Sequence, residues 1–295
     1  MNKFKLSEKR EKWLGTRDVN MKGTRLNYNA SLQTRYKRAL NKLTREMLND
    51  VTRRVRNLFK TKVSRDFFKA QKEAEAMDES ITSKATKLMK DLQDKFYQLF
   101  NKNADPLAKA MIQQTEKSSA VSLKTSLKKL SGGLSLNTSV VPAGMEDVSK
   151  ALVQENVNLI KSIPEEYLKK IEGAVMRSIT SGNGLADLGP ELKKYSGQTD
   201  RRVSLLALDQ TRKAYNSINK QRMQAVGVKQ FEWVHSGGSR EPRKSHMEIS
   251  GNIYDFDDLP LKGQEGFING QFPGQAINCR CTMIPVIEFE DGERV

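Results

Sequence analysis

The chain is poor in most of the residues that build small chemical sites. Among 295 residues there are two cysteines, two histidines and two tryptophans, and aromatic side chains make up 7%. Two cysteines cannot supply a disulfide framework, and a reducing compartment keeps them as thiols. They stand at Cys279 and Cys281 with one residue between them. A bridge there would be strained, because residues i and i+2 of an extended chain lie near the upper limit of the Cα separation a disulfide accepts. No run of about 18 apolar residues occurs, which excludes an ordinary membrane-spanning helix. The stretch "MNKFKLSEKREKW" also lacks the apolar segment that a secretory signal carries after its basic residues. The expectation is a soluble protein made in a cytoplasm and requiring no membrane. Acidic residues are not clustered, which counts against metal-assisted hydrolysis or group transfer.

What the chain has is positive charge. The formal net charge is +16, and residues 1–70 hold 20 Lys+Arg against 6 Asp+Glu, so nearly all of the excess lies there. Phosphates reward Lys and Arg by releasing condensed counterions, so a segment of this kind is the footprint expected for nucleic acid. A solvated helix face, or a basic arm docking on an acidic protein, would carry the same charge. No interleaved aromatic residues decide between them.

The length suits one large or two modest domains of roughly 100–200 residues. Residues 1–35 are polar, without sustained periodicity, and read as a basic arm. From Tyr36 the steps of three and four through Leu40, Leu43, Met47, Val51, Val55 and Leu58 predict an amphipathic helix. Its opposite face carries the candidate nucleic-acid contacts Arg38, Lys42, Arg45, Arg53, Arg54 and Arg56. A second stripe runs through Met77, Ile81, Ala85, Leu88, Leu92, Phe96 and Leu99, with Asp105 and Pro106 predicting a break and a new helical start. Residues 36–130 therefore read as an elongated hairpin or coiled-coil-like region whose apolar stripes serve as core or partner contact. Residues 131–144, "SGGLSLNTSVVPAG", carry no charge and read as a linker.

Helical patterns resume in residues 145–295. Ser162 and Glu165 suggest a capping box around Pro164 at the start of a new helix. That helix is predicted to stop at Gly182 to Gly184, and a further short helix follows Pro190. Thr199 or Asp200 is expected to cap the long helix that ends at Gly227. On that helix Asp209, Arg212, Asn216 and Asn219 recur at three and four. A solvated face explains such a stripe; the functional reading has Arg212 and Asn216 pointing at a site assembled with the strands that follow.

Beyond Gly227 the composition shifts: Pro242, Pro260, Pro273 and Pro285 all fall in this last stretch. "KQFEWVH", "GNIYDF" and "CTMIPVIEF" read as short strands. The predicted fold class is α+β, with a long-helix N-terminal region followed by a small α+β domain whose helices pack on a short irregular sheet. In extended chain Cys279 and Cys281 point to one face and Arg280 to the other.

Taken in order, "ENVNLIKSIPEEYLKKIEGAV", "TRKAYN", "FEW", "REPRKSHMEISG", "FPGQAINCRC" and the terminal "IPV" resemble the Mu F-type head morphogenesis family of tailed bacteriophages. The resemblance covers residues 150–288, about half of the chain, and the ordered set gives it its specificity. The matching positions are Arg212 and Asn216 on the long helix, Trp233, then Arg243, His246 and Gly251, and the run Asn278, Cys279, Arg280, Cys281. Two positions depart from the family pattern. An acidic residue usual on the helix is replaced by Arg212 or Lys213, and an Asp about seven residues before the His by Ser239.

The resemblance implies a minor head protein present in few copies near the portal vertex. Its implied partners are the portal protein, the major capsid or scaffolding proteins and the genomic DNA. Its implied location is the virion, in the capsid interior or at the portal vertex, after assembly in the host cytoplasm. A nucleic-acid-binding protein ejected with the genome is the alternative. A third reading is a hydrolase or transferase using Arg212, Arg243, His246 and Cys279 or Cys281, with Asn278 or Asn216 orienting a Cys–His pair. No protease signature accompanies it, and the expectation is a protein that is not an enzyme.

Zinc could draw on His246, Cys279 and Cys281, with His235 or Asp255 as a fourth ligand. One intervening residue is an unusual spacing for a structural zinc site, and buried thiols that simply pack are the other reading.

Overall fold

The computed structural model describes residues 21–60, 80–130, 142–238 and 241–287. Residues 1–20 of the basic arm, Met77, residues 131–141 of the linker and Ser239 lie outside the described residues. The elements run β1 (Met21–Lys22), α1 (Ala30–Lys60), α2 (Ile81–Leu130), α3 (Met145–Thr180), α4 (Leu185–Ala225), β2 (Gln230–Val234), α5 (Lys244–Glu248), β3 (Ile253–Asp255) and β4 (Thr282–Ile287). The fold is α+β and rich in helix, as the periodicities predict.

The chain forms two compact units, neither continuous in sequence. The helical unit consists of Thr34–Lys109 and Val153–Ala207. The sheet unit consists of the segment ending at Gln33, Ala110–Leu152 and the segment from Leu208 onward.

In the helical unit, α1 buries Tyr36, Leu40, Leu43, Met47, Val51 and Val55 and leaves Arg38, Lys42, Arg45, Arg53 and Arg56 exposed. The helix starts at Ala30 rather than near Tyr36, because the Asn29 side chain accepts a hydrogen bond from the Ser31 N–H at 3.0 Å and caps the first turn. Leu92, Phe96 and Phe100 of α2 are fully buried, each contributing about 1.5–3 kcal/mol over an exposed position. The buried Tyr36 hydroxyl donates to Asn156 Oδ1 at 3.0 Å.

Four expected helix boundaries do not exist, three at prolines and one at Thr199–Asp200. Pro106 lies inside α2, Pro164 inside α3 and Pro190 inside α4. Pro106 sits on the exposed face, as does Lys102, whose carbonyl loses its partner, so water can satisfy that oxygen. The buried spacing meanwhile continues through Phe100, Ala104, Ala108 and Met111. Burial of that face outweighs the roughly 3 kcal/mol that an interior proline costs. Ser162 forms no capping box: its hydroxyl donates to the Leu159 carbonyl at 2.8 Å and accepts from Arg202 Nη2 at 2.8 Å. Thr199 likewise donates back to the Tyr195 carbonyl, at 2.9 Å, within a continuous α4.

The stops do fall where expected. α3 ends at Thr180 before Gly182 (φ 72°), and α4 ends at Ala225 before Gly227 (φ 83°). The Val228 N–H then closes onto the Met223 carbonyl at 2.9 Å.

The sheet unit is built on an antiparallel sheet of order β1-β4-β2-β3. Phe231 pairs with Pro285, and Trp233 pairs with Met283. Phe231 and Trp233 face the core and are fully buried, whereas Gln230, Glu232 and Val234 are half-buried, the alternation of a one-sided sheet. The arm also contributes to this unit. Lys22 pairs with Val286 in β1, Leu26 is fully buried, and the Leu26 N–H donates to the Met283 carbonyl at 3.0 Å.

Candidate functional site

The polar stripe of α4 holds a loop by its backbone. Asp209 Oδ1 accepts the Asn278 N–H at 2.5 Å, Arg212 Nη1 donates to the Arg280 carbonyl at 3.2 Å, and Asn216 Nδ2 donates to the Cys281 carbonyl at 3.3 Å. Spacings of three and four put these side chains on one helix face, and that face meets the Asn278–Cys281 segment one backbone group after another. Asn219 turns elsewhere, accepting from the buried Ser119 hydroxyl at 2.8 Å. The Arg212 guanidinium lies 4.4 Å from the centre of the Tyr28 ring, and the Tyr28 hydroxyl bonds Thr211 Oγ1 at 2.6 Å. Burial lowers the Arg212 pKa and raises that of Tyr28.

The preceding turn is shaped to fit the same helix. Gly274 has φ +82°, and a Cβ there would stand 2.2 Å from Asn216 Nδ2. Asn278 also adopts a positive φ, 59°, which turns the chain just before Cys279. The Cys279 N–H closes this turn onto the Ala276 carbonyl at 2.9 Å.

With the backbone held in this way, both sulfurs project inward to one histidine. His246 lies on α5, and its Nδ1 is 3.5 Å from Cys279 Sγ and 3.6 Å from Cys281 Sγ. The three ligating atoms all lie within 4.8 Å of one another, and all three residues are buried. Trp233 meets the imidazole edge-on, with ring centres 5.1 Å apart at 81°, and fixes its plane. The Gly274 N–H points at Cys279 Sγ from 3.3 Å.

The two thiols share their protons unequally. A hydrogen bond from Cys281, helped by His246 and by the Gly274 N–H and opposed by burial, holds Cys279 down to about 4. The same shared hydrogen bond, together with burial, pushes Cys281 up. His246 Nε2 is buried without a hydrogen-bond partner.

The remaining motif residues brace this cluster. Arg243 caps α5 in extended conformation and donates from Nη2 to the Ile277 carbonyl at 2.9 Å. Gly251 (φ 93°) donates its N–H to the Trp233 carbonyl at 2.8 Å. The Arg280 guanidinium bonds the Gly238 carbonyl. His235 and Asp255 do not join the group: among the described residues the cluster holds His246, Cys279 and Cys281. His235 Nδ1 accepts the Gly237 N–H at 3.2 Å, and Asp255 accepts the Asp257 N–H at 2.9 Å.

Neither proposed orienter contacts the imidazole by a hydrogen bond: Asn216 binds backbone, and Asn278 is exposed. Asp209 and Gly274 are site residues that sequence reasoning passed over. Asp209 was visible as a member of the polar stripe, but its partner, a backbone N–H 69 positions away, leaves no trace in the sequence.

The candidate nucleic-acid residues lie in the helical unit. Arg45, Arg53, Arg56 and Lys60 line a surface groove of about 600 Å³. Arg53 pairs with Asp50, and the half-buried Arg54 lies 3.6 Å from Asp91. Lys60 was not among the residues the sequence singled out.

Residues 169–284 match the family model described as Phage Mu protein F like protein. This stretch is similar to that family. The matched region takes in the last third of α3, all of α4, every motif residue from Arg212 to Cys281, and the start of β4. A similar protein, described as an uncharacterized protein of Haemophilus influenzae, is 31% identical over 186 residues, which is 63% of this chain and 40% of that relative. The matched part thus spans about two fifths of the relative's length. No solved structure matches. Among the described residues no helix is long and apolar enough to cross a membrane.

Proposed function

We propose that this protein is a minor head component of a tailed phage, built into the capsid in few copies at the portal vertex and acting in assembly, genome packaging or genome delivery. Head morphogenesis is the role that the Mu F-like family suggests, and that family is generally structural. The observation that carries the reading is how the motif is used. Asp209, Arg212, Asn216 and Arg243 all engage backbone groups of the 277–281 loop, and the thiols are only 4% and 3% exposed. Residues arranged in this way stabilise a shape, which is what a capsid component supplies to its neighbours. We assign no reaction to the protein: among the described residues nothing hydrogen-bonds His246 Nε2, and a hydrogen-bonding third group there is the usual support of a nucleophilic pair.

The proposed partners are the portal protein, the major capsid or scaffolding proteins and the genomic DNA. The basic face of α1 favours the last of these. Seven cations of α1 are exposed, and the groove lined by Arg45, Arg53, Arg56 and Lys60 offers several of them to one phosphate backbone. The proposed location is the virion, reached after assembly in the host cytoplasm. Quantitative mass spectrometry of purified filled and emptied particles tests the reading. Substoichiometric protein in filled particles is expected, and loss on emptying would identify the ejected form. Absence from both particle types and from the portal fraction would overturn it.

A further inference from the structure

We propose that Cys279 Sγ, Cys281 Sγ and His246 Nδ1 form a binding site for one thiolate-preferring divalent cation of the zinc class, which locks the 276–281 loop to α5. The inference stands apart from the head-assembly reading, since it rests on the cluster alone.

The distances fit a bound cation. A tetrahedral zinc with Zn–S near 2.3 Å and Zn–N near 2.05 Å sets its S···N edges at about 3.5–3.6 Å. The two S···N distances here are 3.5 and 3.6 Å. A thiol–imidazole hydrogen bond accounts for one such approach, because neutral Nδ1 has a single lone pair and can accept one S–H. Two sulfurs at nearly equal distance from one nitrogen are what a common cation between all three atoms would produce.

Charge balance favours a cation as well. Two thiolates and a neutral imidazole cancel a dication, so the loaded site is neutral and can stay buried. Unloaded, the same pocket holds ionisable groups with burial working against their charge. The Gly274 N–H aimed at Cys279 Sγ from 3.3 Å is the kind of outer donor that supports a metal thiolate. Trp233 packs edge-on against the ring whose Nδ1 faces the sulfurs.

The spacing of the cysteines is no obstacle. One residue between cysteines is too few for a chain that wraps around an ion, but here the chain does not wrap. The left-handed Asn278 turns it first, Asp209, Arg212 and Asn216 hold it, and alternation then puts both sulfurs on one side. No fourth Cys, His, Asp or Glu among the described residues joins the cluster. The fourth corner therefore falls to water or to another small ligand. Binding displaces the thiol protons to solvent, so affinity rises with pH.

The test is titration of reduced, chelator-stripped full-length protein with Co²⁺, read by absorption, alongside the zinc content of the protein as purified. One equivalent is expected, with tetrahedral d–d bands and thiolate-to-cobalt charge transfer, and zinc should displace it. Cys279→Ser and Cys281→Ser should each weaken binding by more than the roughly 10–100-fold that loss of an outer-shell partner costs. Should either variant fail to fold, the wild-type spectrum decides alone. Cobalt bound without charge transfer, or no cobalt and no retained zinc, would overturn the proposal.

Discussion

Asn216 occupies the space that any side chain at position 274 would need: a Cβ on Gly274 would come within 2.2 Å of its Nδ2 and 3.0 Å of its Cγ. The same amide donates to the Cys281 carbonyl. One side chain therefore sets both the turn that enters the loop and the strand that leaves it.

Gly274→Ala should accordingly destabilise the sheet unit by at least about 2 kcal/mol. It forces a side chain into φ +82° and displaces Asn216. Denaturant unfolding followed by Trp233 fluorescence measures it. A change below about 0.5 kcal/mol would show that the loop relaxes freely.

Asn216→Ala should cost about 1–3 kcal/mol, because it strips the buried Cys281 carbonyl of its side-chain donor. In the Gly274→Ala background the cost should be smaller, since Asn216 has already moved there. A double-mutant cycle by thermal unfolding reads the coupling, and strictly additive losses would contradict the shared role.

Asp50 gives the helical unit a pH dependence. Burial works to raise its carboxyl, but hydrogen bonds from Lys95 and Arg53 outweigh this and hold its pKa below the usual 3.8. A lowered acid pKa means stabilisation that is present above the unfolded value and lost as pH falls through the folded one. Lys95→Ala, removing a 2.8 Å ion pair from a half-exposed lysine, should cost about 1 kcal/mol at neutral pH. At a pH below that lowered value the cost should shrink, because the carboxyl is then protonated and no longer needs its partner. An equal loss at both pH values would refute the assignment.

Charge reversal on α1 tests the genome contact. Arg45→Glu with Arg56→Glu should weaken duplex DNA binding across sequences and flatten the slope of log K against log salt by about one to two contacts. Fluorescence anisotropy at several salt concentrations supplies both quantities. Binding that is indifferent to salt, or unchanged in the double variant, would remove this surface from the proposal.

Some of this was visible in the order of residues. The run from Tyr36 to Val55 predicts a buried stripe because helical period and apolar spacing are local properties, and the stops at Gly182 and Gly227 follow from the backbone freedom of glycine. The prolines misled for a related reason. Pro106, Pro164 and Pro190 break helices by local rule, and nothing near them in sequence tells that the flanking turns are buried strongly enough to carry each helix through.

The sequence alone determined the helix-rich α+β character, the concentration of charge near one end, the membership of Arg212, Asn216, Arg243, His246 and the cysteines in one ordered motif, and the shared face of the two sulfurs. Tertiary structure decided what meets across distance. It set Leu26 and β1 against β4, brought Asp209 to the Asn278 N–H, placed Gly274 under Asn216, and delivered Nδ1 of His246 to two sulfurs more than 30 positions away. Periodicity and propensity are short-ranged, whereas these pairings depend on how whole elements pack, and packing is fixed only once every buried face has found its partner.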